Sequence, residues 1–330
     1  MEAKEKGNQT TVTHFILMGF GDVQQFQIPL FLLFLAVYIV TVSGNLLLIV
    51  LVVTNQHIHT PMYFFLGNLS CLEICYSSTI VPRIMTTLMA DDKAVTFSSC
   101  LTQYFFFTIL LGAESHLLSV MSYDRYLAIC KPLHYTTLMS ITVCIQLAAI
   151  AWINGLIVGF ILITFMLEFT FCGPNKIDHY FCDNGPLLKL SCNDTSVVEI
   201  ATFILAFIFT MLPFFLTTVS YVYIINTILR IPSSTGRKKA FSTCSSHLIV
   251  VSSYYLSLII VYLLPKTEGM RQVNKILSLL YTVLPPLINP VIYSLRNKEV
   301  KVALRKLFRK VETFQPAQTC PAQVLKLNKK

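Results

Sequence analysis

Seven long apolar runs constrain this chain more than any other feature of its sequence. They cover Ile28 to Val53, Met62 to Met85, Phe97 to Ile129, Ile141 to Met166, Val197 to Leu229, Phe241 to Leu264 and Val273 to Ser294. A helix rises about 1.5 Å per residue, so about 20 apolar residues cross the roughly 30 Å of hydrocarbon in a bilayer. Each run meets that length, and the third and fifth are long enough to tilt or protrude. Within hydrocarbon each backbone polar group must find its partner inside its own segment, which makes every run a helix. The expected fold is all-α: a seven-transmembrane helix bundle over residues 28–294, preceded by an extracellular tail of residues 1–27 and followed by a cytoplasmic helix and tail over 295–330.

Composition agrees with a bilayer address. The chain is 55% hydrophobic and 12% charged with a mean hydropathy of +0.66, too apolar for a soluble protein of 330 residues. The formal charge of +9 does not imply nucleic acid, because the positive residues gather at particular loops. Arg237, Lys238 and Lys239 precede the sixth run, and Arg296, Lys298, Lys301, Arg305, Lys306, Arg309 and Lys310 follow the seventh. Such clusters mark the cytoplasmic side. An odd number of spans then places the N-terminus outside, where the sequon Asn8-Gln9-Thr10 is a glycosylation site. Met1 to Gln27 lacks the short apolar core of a cleaved signal, so the first span serves as its own. The halves of the chain do not repeat, which argues against a transporter built from repeats.

Cys100 stands at the outer end of span three, and Cys172, Cys182 and Cys192 lie in the polar stretch between spans four and five. All four face the oxidising side and are expected to be bridged; four thiols allow three pairings. Cys71, Cys75, Cys130, Cys144 and Cys244 read as small buried apolar residues. Cys320 in the tail is a weak candidate for palmitoylation.

Span three shows one face at helical steps: Cys100, Phe107, Leu111, Glu114, Leu118, Met121 and Arg125. That face must turn inward because it carries charge, and an ionisable group at mid-bilayer costs about 3 kcal/mol or more. Glu114 lies about 16 Å along the helix from Arg125, and Glu73 about 18 Å from Pro61, so the two acids reach similar depth. Near Asn45 and Asn289, two carboxylates cannot both ionise without a cation. Either one holds a proton, or a sodium ion sits between them, or each is simply a hydrogen-bonded acid knitting helices together.

A ligand pocket follows from depth. Phe107 and Thr108 lie about 26 Å beyond Arg125, and Tyr255 about 24 Å beyond Lys239, so they meet in the outer half of the bundle. Leu111 and Gly112 of span three, Phe209 of span five and Leu258, Ile259 and Tyr262 of span six join them. This wall offers no acid or base, so the expected ligand is small, mostly apolar and uncharged. An enzyme reading lacks a constellation, since His57, His59, His134, His179 and His247 are scattered without metal spacing. A channel would need a water-lined route, whereas Glu73 and Glu114 stand between apolar layers.

Met121-Ser-Tyr-Asp124-Arg125-Tyr126-Leu-Ala-Ile-Cys130 resembles the signature of olfactory receptors, a branch of the rhodopsin-like G-protein-coupled receptors. The likeness extends from about His14 to Arg309. It takes in Gly44-Asn45, Pro61-Met62-Tyr63, Ser220-Tyr221, the stretch from Lys239 to Leu248, and the stretch from Asn289 through Pro290 and Tyr293 to Asn297. The ten-residue spacing of Cys172, Cys182 and Cys192 is similar to that of the tetrapod class. The resemblance implies bridges Cys100–Cys182 and Cys172–Cys192. It implies that Asp124, Arg125, Tyr126, Tyr221, Lys239, His247, Asn289, Pro290 and Tyr293 serve activation and coupling. It further implies a volatile odorant as ligand, a stimulatory heterotrimeric G protein of the olfactory type as partner, rising cyclic AMP, and a multi-pass plasma-membrane address. Three positions depart from the family pattern: Glu73 replaces an Asp, Tyr254-Tyr255-Leu256-Ser257 replaces Phe-Tyr-Gly-Thr and alters the pocket floor, and Ile288 replaces a Leu. The basic, amphipathic stretch Val300 to Lys310 suits a short helix on anionic membrane lipid.

Overall fold

A computed structural model describes residues 12–21, 24–89, 93–171, 175–263, 271–296 and 300–305. Span one is the helix Gln27–Thr54, span two Pro61–Met89, span three Phe97–Cys130 and span four Ile141–Glu168. Span five runs over Ser196–Leu229. Span six, Ser234–Leu263, bends by 42° between its Ser234–Ser242 and Cys244–Ile260 parts. Span seven consists of Arg271–Thr282 and Leu284–Arg296, which share the apolar stretch Lys275–Ile292. Each apolar run of the sequence thus falls on one span of the bundle. Spans three and four start where a hydroxyl caps them: Thr96 accepts from the Ser99 amide at 3.2 Å, and Ser140 accepts from the Val143 amide at 3.4 Å.

The outer faces are apolar, as a lipid-facing surface requires. In span five Pro213, Thr217, Tyr221, Ile224 and Ile228 form a buried stripe at steps of three and four, while Phe203, Phe207, Phe215 and Leu216 are exposed. Span three is the hub, with buried residues from Cys100 to Leu127. It packs closely on span four because Gly155 and Gly159 of the Gly155-Leu-Ile-Val-Gly159 run offer no side chain at the crossing. A Cβ on Gly155 would lie 2.3 Å from the Ile109 carbonyl oxygen. Without a hydrophobic force between helices in lipid, this close backbone approach supplies the dispersion energy that holds them.

Pro82, Pro213 and Pro290 lie within spans, and the carbonyls left by the last two accept from side chains of neighbouring spans. Pro213 has no amide for the carbonyl of Phe209, four residues back; the chain winds as a π turn over Phe207–Met211, and Ser115 Oγ donates to that carbonyl at 2.9 Å. Pro290 likewise frees the carbonyl of Pro286, which accepts from Asn45 Nδ2 at 3.2 Å. Gly44, one residue earlier, leaves room for the Pro290 ring, since a Cβ there would lie 3.0 Å from Pro290 Cβ. Pro82 sits inside span two.

One end of the bundle carries a small sheet that the sequence reading did not include. Its central strand is β1 (His14–Leu17), antiparallel to β2 (Ala94–Thr96) and parallel to β3 (Lys176–Ile177). Phe15 and Leu17 are fully buried beneath it. Just after β1, Phe20 stacks between Phe34 of span one and Tyr180, at centroid distances of 5.9 and 5.3 Å. Cys182 is bonded to Cys100, with Cα atoms 5.6 Å apart, and ties this layer to span three. Cys192 is also disulfide-bonded. Cys172, Asn8, Cys320 and the basic residues from Lys306 onward lie outside the described residues, as do the side chains of Tyr262 and Tyr293. Residues 300–305 are helical, with Val300 and Ala303 buried against the bundle.

Candidate ligand and coupling sites

In the half of the bundle nearest the sheet, Phe107 is the centre of an aromatic cluster. Its ring lies 4.9 Å from Phe181, 5.7 Å from Tyr76 and 6.4 Å from Tyr281. Tyr255 and Leu258 are buried in the same core, and Leu111 packs against it. Two phenols fasten span six to span three: Tyr254 donates to the Leu111 carbonyl at 3.0 Å, and Tyr255 donates to the Ser115 carbonyl at 2.9 Å. Phe214 of span five packs on Tyr255 with ring centroids 5.2 Å apart. Phe107, Leu111, Tyr255 and Leu258 thus all belong to the main core of the bundle. Thr108 is buried and donates to the Phe105 carbonyl at 2.9 Å, and Ile259 is half-buried. Phe209 sits at the π turn, its ring 5.9 Å from His116. Gly112 does not face this cluster: a Cβ on it would lie 3.2 Å from Gly155 Cα, so it belongs to the packing of span three on span four.

A charged pair that the sequence reading passed over lies closer to the sheet, on span seven. Lys275 is 3% exposed and donates to Asp178, just after β3, at 2.5 Å. Its burial beneath the loop between spans four and five depends on tertiary placement that a hydropathy pattern does not carry.

Deeper in the bundle, Asn289 Nδ2 donates to Glu73 Oε1, and Asn45 bridges to span seven as described. Glu73, Glu114, Asn45 and Asn289 are all essentially fully buried. Both carboxyl oxygens of Glu114, Oε2 of Glu73 and the amide oxygens of Asn45 and Asn289 have no hydrogen-bond partner among the described residues. These are hard oxygen donors of the kind that hold an alkali cation or share a proton. Groups of three or more His, Cys, Asp and Glu side chains fit for a metal do not occur among the described residues.

At the opposite end, Asp124 is fully buried and holds Arg125 through Nε at 2.9 Å and through a second nitrogen. The other carboxylate oxygen accepts from Tyr135 at 2.8 Å. Tyr135 lies on the short helix Tyr135–Leu138 between spans three and four. Burial first, and then the charge of Asp124, push its hydroxyl above the usual phenol range, so it remains a donor. Asp124 is thus clamped from two sides. Tyr221 of span five meets His247 Nδ1 of span six at 2.7 Å, with the rings stacked 5.9 Å apart. Tyr126 packs on Tyr223 at 5.8 Å, and Lys239 is exposed on span six. Spans three, five and six therefore meet near Arg125.

Comparison with known proteins sets this arrangement in a family. The profile of the olfactory receptor family matches residues 34–311. The chain is similar to human olfactory receptor 11L1, at 45% identity over 93% of this chain and 95% of that one. It is 47% identical to human olfactory receptor 10A5, over 92% and 96%, and 47% identical to mouse olfactory receptor 6Z7, over 91% and 96%. The chain belongs to the olfactory receptor family. It is a G-protein-coupled receptor with several membrane-spanning helices, a multi-pass protein of the plasma membrane and not an enzyme.

Several contacts of this olfactory receptor were not anticipated from sequence. Phe181 caps the aromatic cluster, and its place next to Cys182 was the available signal, because the disulfide brings that loop over span three. Ser115 follows from the proline rule, since a proline in span five demands a donor nearby. Tyr135 carried no signal; only the fold brings it back to Asp124.

Proposed function

We propose that this receptor binds a small, mostly apolar volatile odorant in the bundle half nearest the sheet, among Phe107, Thr108, Leu111, Tyr255 and Leu258. Binding activates a stimulatory heterotrimeric G protein at the Asp124–Arg125 end and raises cyclic AMP. The N-terminus lies outside the cell and the C-terminus inside, with the basic helix beginning at Val300 on the inner leaflet.

The observation that carries this reading is the double attachment of span six. Through Tyr254 and Tyr255 it hangs on span-three carbonyls beside the aromatic cluster. Through His247 it meets Tyr221 near the clamped Arg125. A ligand seated against Phe107 competes for the volume that the tyrosine rings fill. It shifts span six about its bend, and the movement is felt where Arg125 is held. The cluster of Glu73, Glu114, Asn45 and Asn289 tunes that shift through a bound sodium ion or a shared proton, with Asn289–Pro290 as the hinge of span seven.

Cyclic AMP in cells co-expressing the chain with an olfactory-type stimulatory G protein, exposed to a broad panel of small volatile organics, tests the reading. The expected result is a response from the intact chain that Arg125→Ala abolishes at equal surface expression. Full signalling by that variant would refute the coupling role.

A further inference from the structure

We propose that Lys275 is an anion-recognition point at the mouth of the odorant pocket and that the Asp178 carboxylate is its resident placeholder, so that ligands bearing a carboxylate compete with Asp178 for one ammonium. The inference rests on the pocket reading above and names a ligand class that this reading leaves aside.

The ion pair is asymmetric. The Lys275 side chain is 3% exposed and that of Asp178 is 48% exposed. A buried ammonium without a counter-charge is strongly disfavoured, whereas a half-exposed carboxylate loses little when it turns to water. Lys275 therefore requires an anion, and Asp178 is the partner that can leave. Any other carboxylate reaching the ammonium satisfies the same requirement.

The surroundings place this ammonium on the way to the pocket. Lys275, Ser278 and Thr282 are buried and recur at steps of three and four, so they form one polar stripe along span seven. The segment after β3 runs along that stripe. Asp178 pairs with Lys275, Tyr180 meets Thr282 at 3.1 Å, Phe181 lies against Phe107, and Cys182 is bonded to span three. Of these attachments the Asp178 pair is the outermost. Lys275 stands about 9 Å along the helix from Tyr281, whose ring is 6.4 Å from Phe107. A carboxylate at Lys275 can thus direct an alkyl tail inward to the aromatic cluster. A neutral odorant offers nothing in exchange for the ion pair and must fit with it in place. Asp178 accordingly sets selectivity against acids, at a position outside the apolar wall.

Binding of a matched series of straight-chain alcohols and their carboxylates to the purified full-length receptor in nanodiscs tests this, using intact protein, Asp178→Asn, and Asp178→Asn combined with Lys275→Gln. The neutral double variant carries no unpaired charge and guards against simple misfolding. The expected result is that Asp178→Asn tightens binding of the carboxylates by about tenfold or more, the worth of one freed charge-assisted hydrogen bond. The double variant should return to the starting level, and the alcohols should change little in either. Carboxylates that bind no better to Asp178→Asn than to intact protein overturn the placeholder role. If the alcohols still bind and depend on Phe107 and Tyr255, the pocket reading survives that outcome; if Phe107→Ala changes nothing for any bound member, the pocket reading itself fails. A gain that persists in the double variant also overturns the proposal, because the anion is then held elsewhere.

Discussion

Replacing Gly155 with Ala should separate spans three and four, and the distances say how much it costs. The new Cβ would lie 2.3 Å from the Ile109 carbonyl oxygen, 3.0 Å from the Ala113 amide nitrogen and 3.1 Å from Ala113 Cβ. Ordinary contact begins near 3.4 Å, so the helices must part by about 1 Å. A gap of that size forfeits up to about half of each dispersion well along the crossing. Overpacking of this kind costs about 1–3 kcal/mol, and the obstacle here is backbone, which places Gly155 at the upper end. The alanine regains about 1 kcal/mol of helix propensity. The net loss is about 2 kcal/mol, or a fall of roughly 3 °C in the thermal midpoint for a chain of this size. Gly159→Ala provides the contrast, because its Cβ meets Ile109 Cγ1 at 2.4 Å and a side chain can be cut back. Thermal unfolding of purified receptor in nanodiscs should show that Ile109→Ala recovers much of the loss in Gly159→Ala and none of the loss in Gly155→Ala. Rescue of both variants, or a Gly155→Ala protein as stable as the parent, would refute the backbone argument.

Three further outcomes are expected. Cys182→Ser opens a bridge between residues 82 apart in sequence; chain-entropy reasoning puts the loss at about 4–5 kcal/mol, so surface expression should vanish, and normal trafficking with a full response would show that the bridge is dispensable. Tyr135→Phe removes one of the two clamps on Asp124, a change of about 1 kcal/mol, and should raise cyclic AMP in the absence of odorant several-fold; an unchanged basal level at equal expression would show that Tyr135 does not bias the switch. If sodium occupies the deep oxygen cluster, raising sodium against a potassium background should increase the thermal midpoint of the intact receptor and have no effect on Glu73→Gln; insensitivity of the intact receptor would leave the shared proton as the account of Glu73 and Glu114.

What the sequence made legible was whatever depends on length and periodicity along one helix. The apolar runs located the spans, so that Val197 to Leu229 anticipated Ser196–Leu229, although span six begins at Ser234, seven residues before the run at Phe241. Depth counting along spans three and six put Phe107, Leu111, Tyr255 and Leu258 at one level; in the structure the Tyr255 hydroxyl reaches the Ser115 carbonyl, eight residues along span three from Phe107. Azimuth was harder. Gly112 lies one turn from Thr108, but the side it faces is decided by Gly155 and Gly159 on another span, which no count along span three reveals. Lys275 lay inside the seventh apolar run and drew no notice, because a lysine near a helix end usually reaches for water. Its burial depends on a loop some hundred residues earlier in the chain. The π turn of span five similarly has no residue signature beyond Pro213, and its partner Ser115 comes from span three.

The small sheet sets an order of assembly. Its central strand, His14–Leu17, precedes span one, yet its partners are Ala94–Thr96, after span two, and Lys176–Ile177, after span four. Loop closure over such separations comes late. The N-terminal segment must therefore wait with both edges unpaired while four spans are made, and an unpaired strand edge is an invitation to the wrong neighbour. A segment that docks only after four spans have been made depends, for that interval, on whatever in the cell keeps such edges apart.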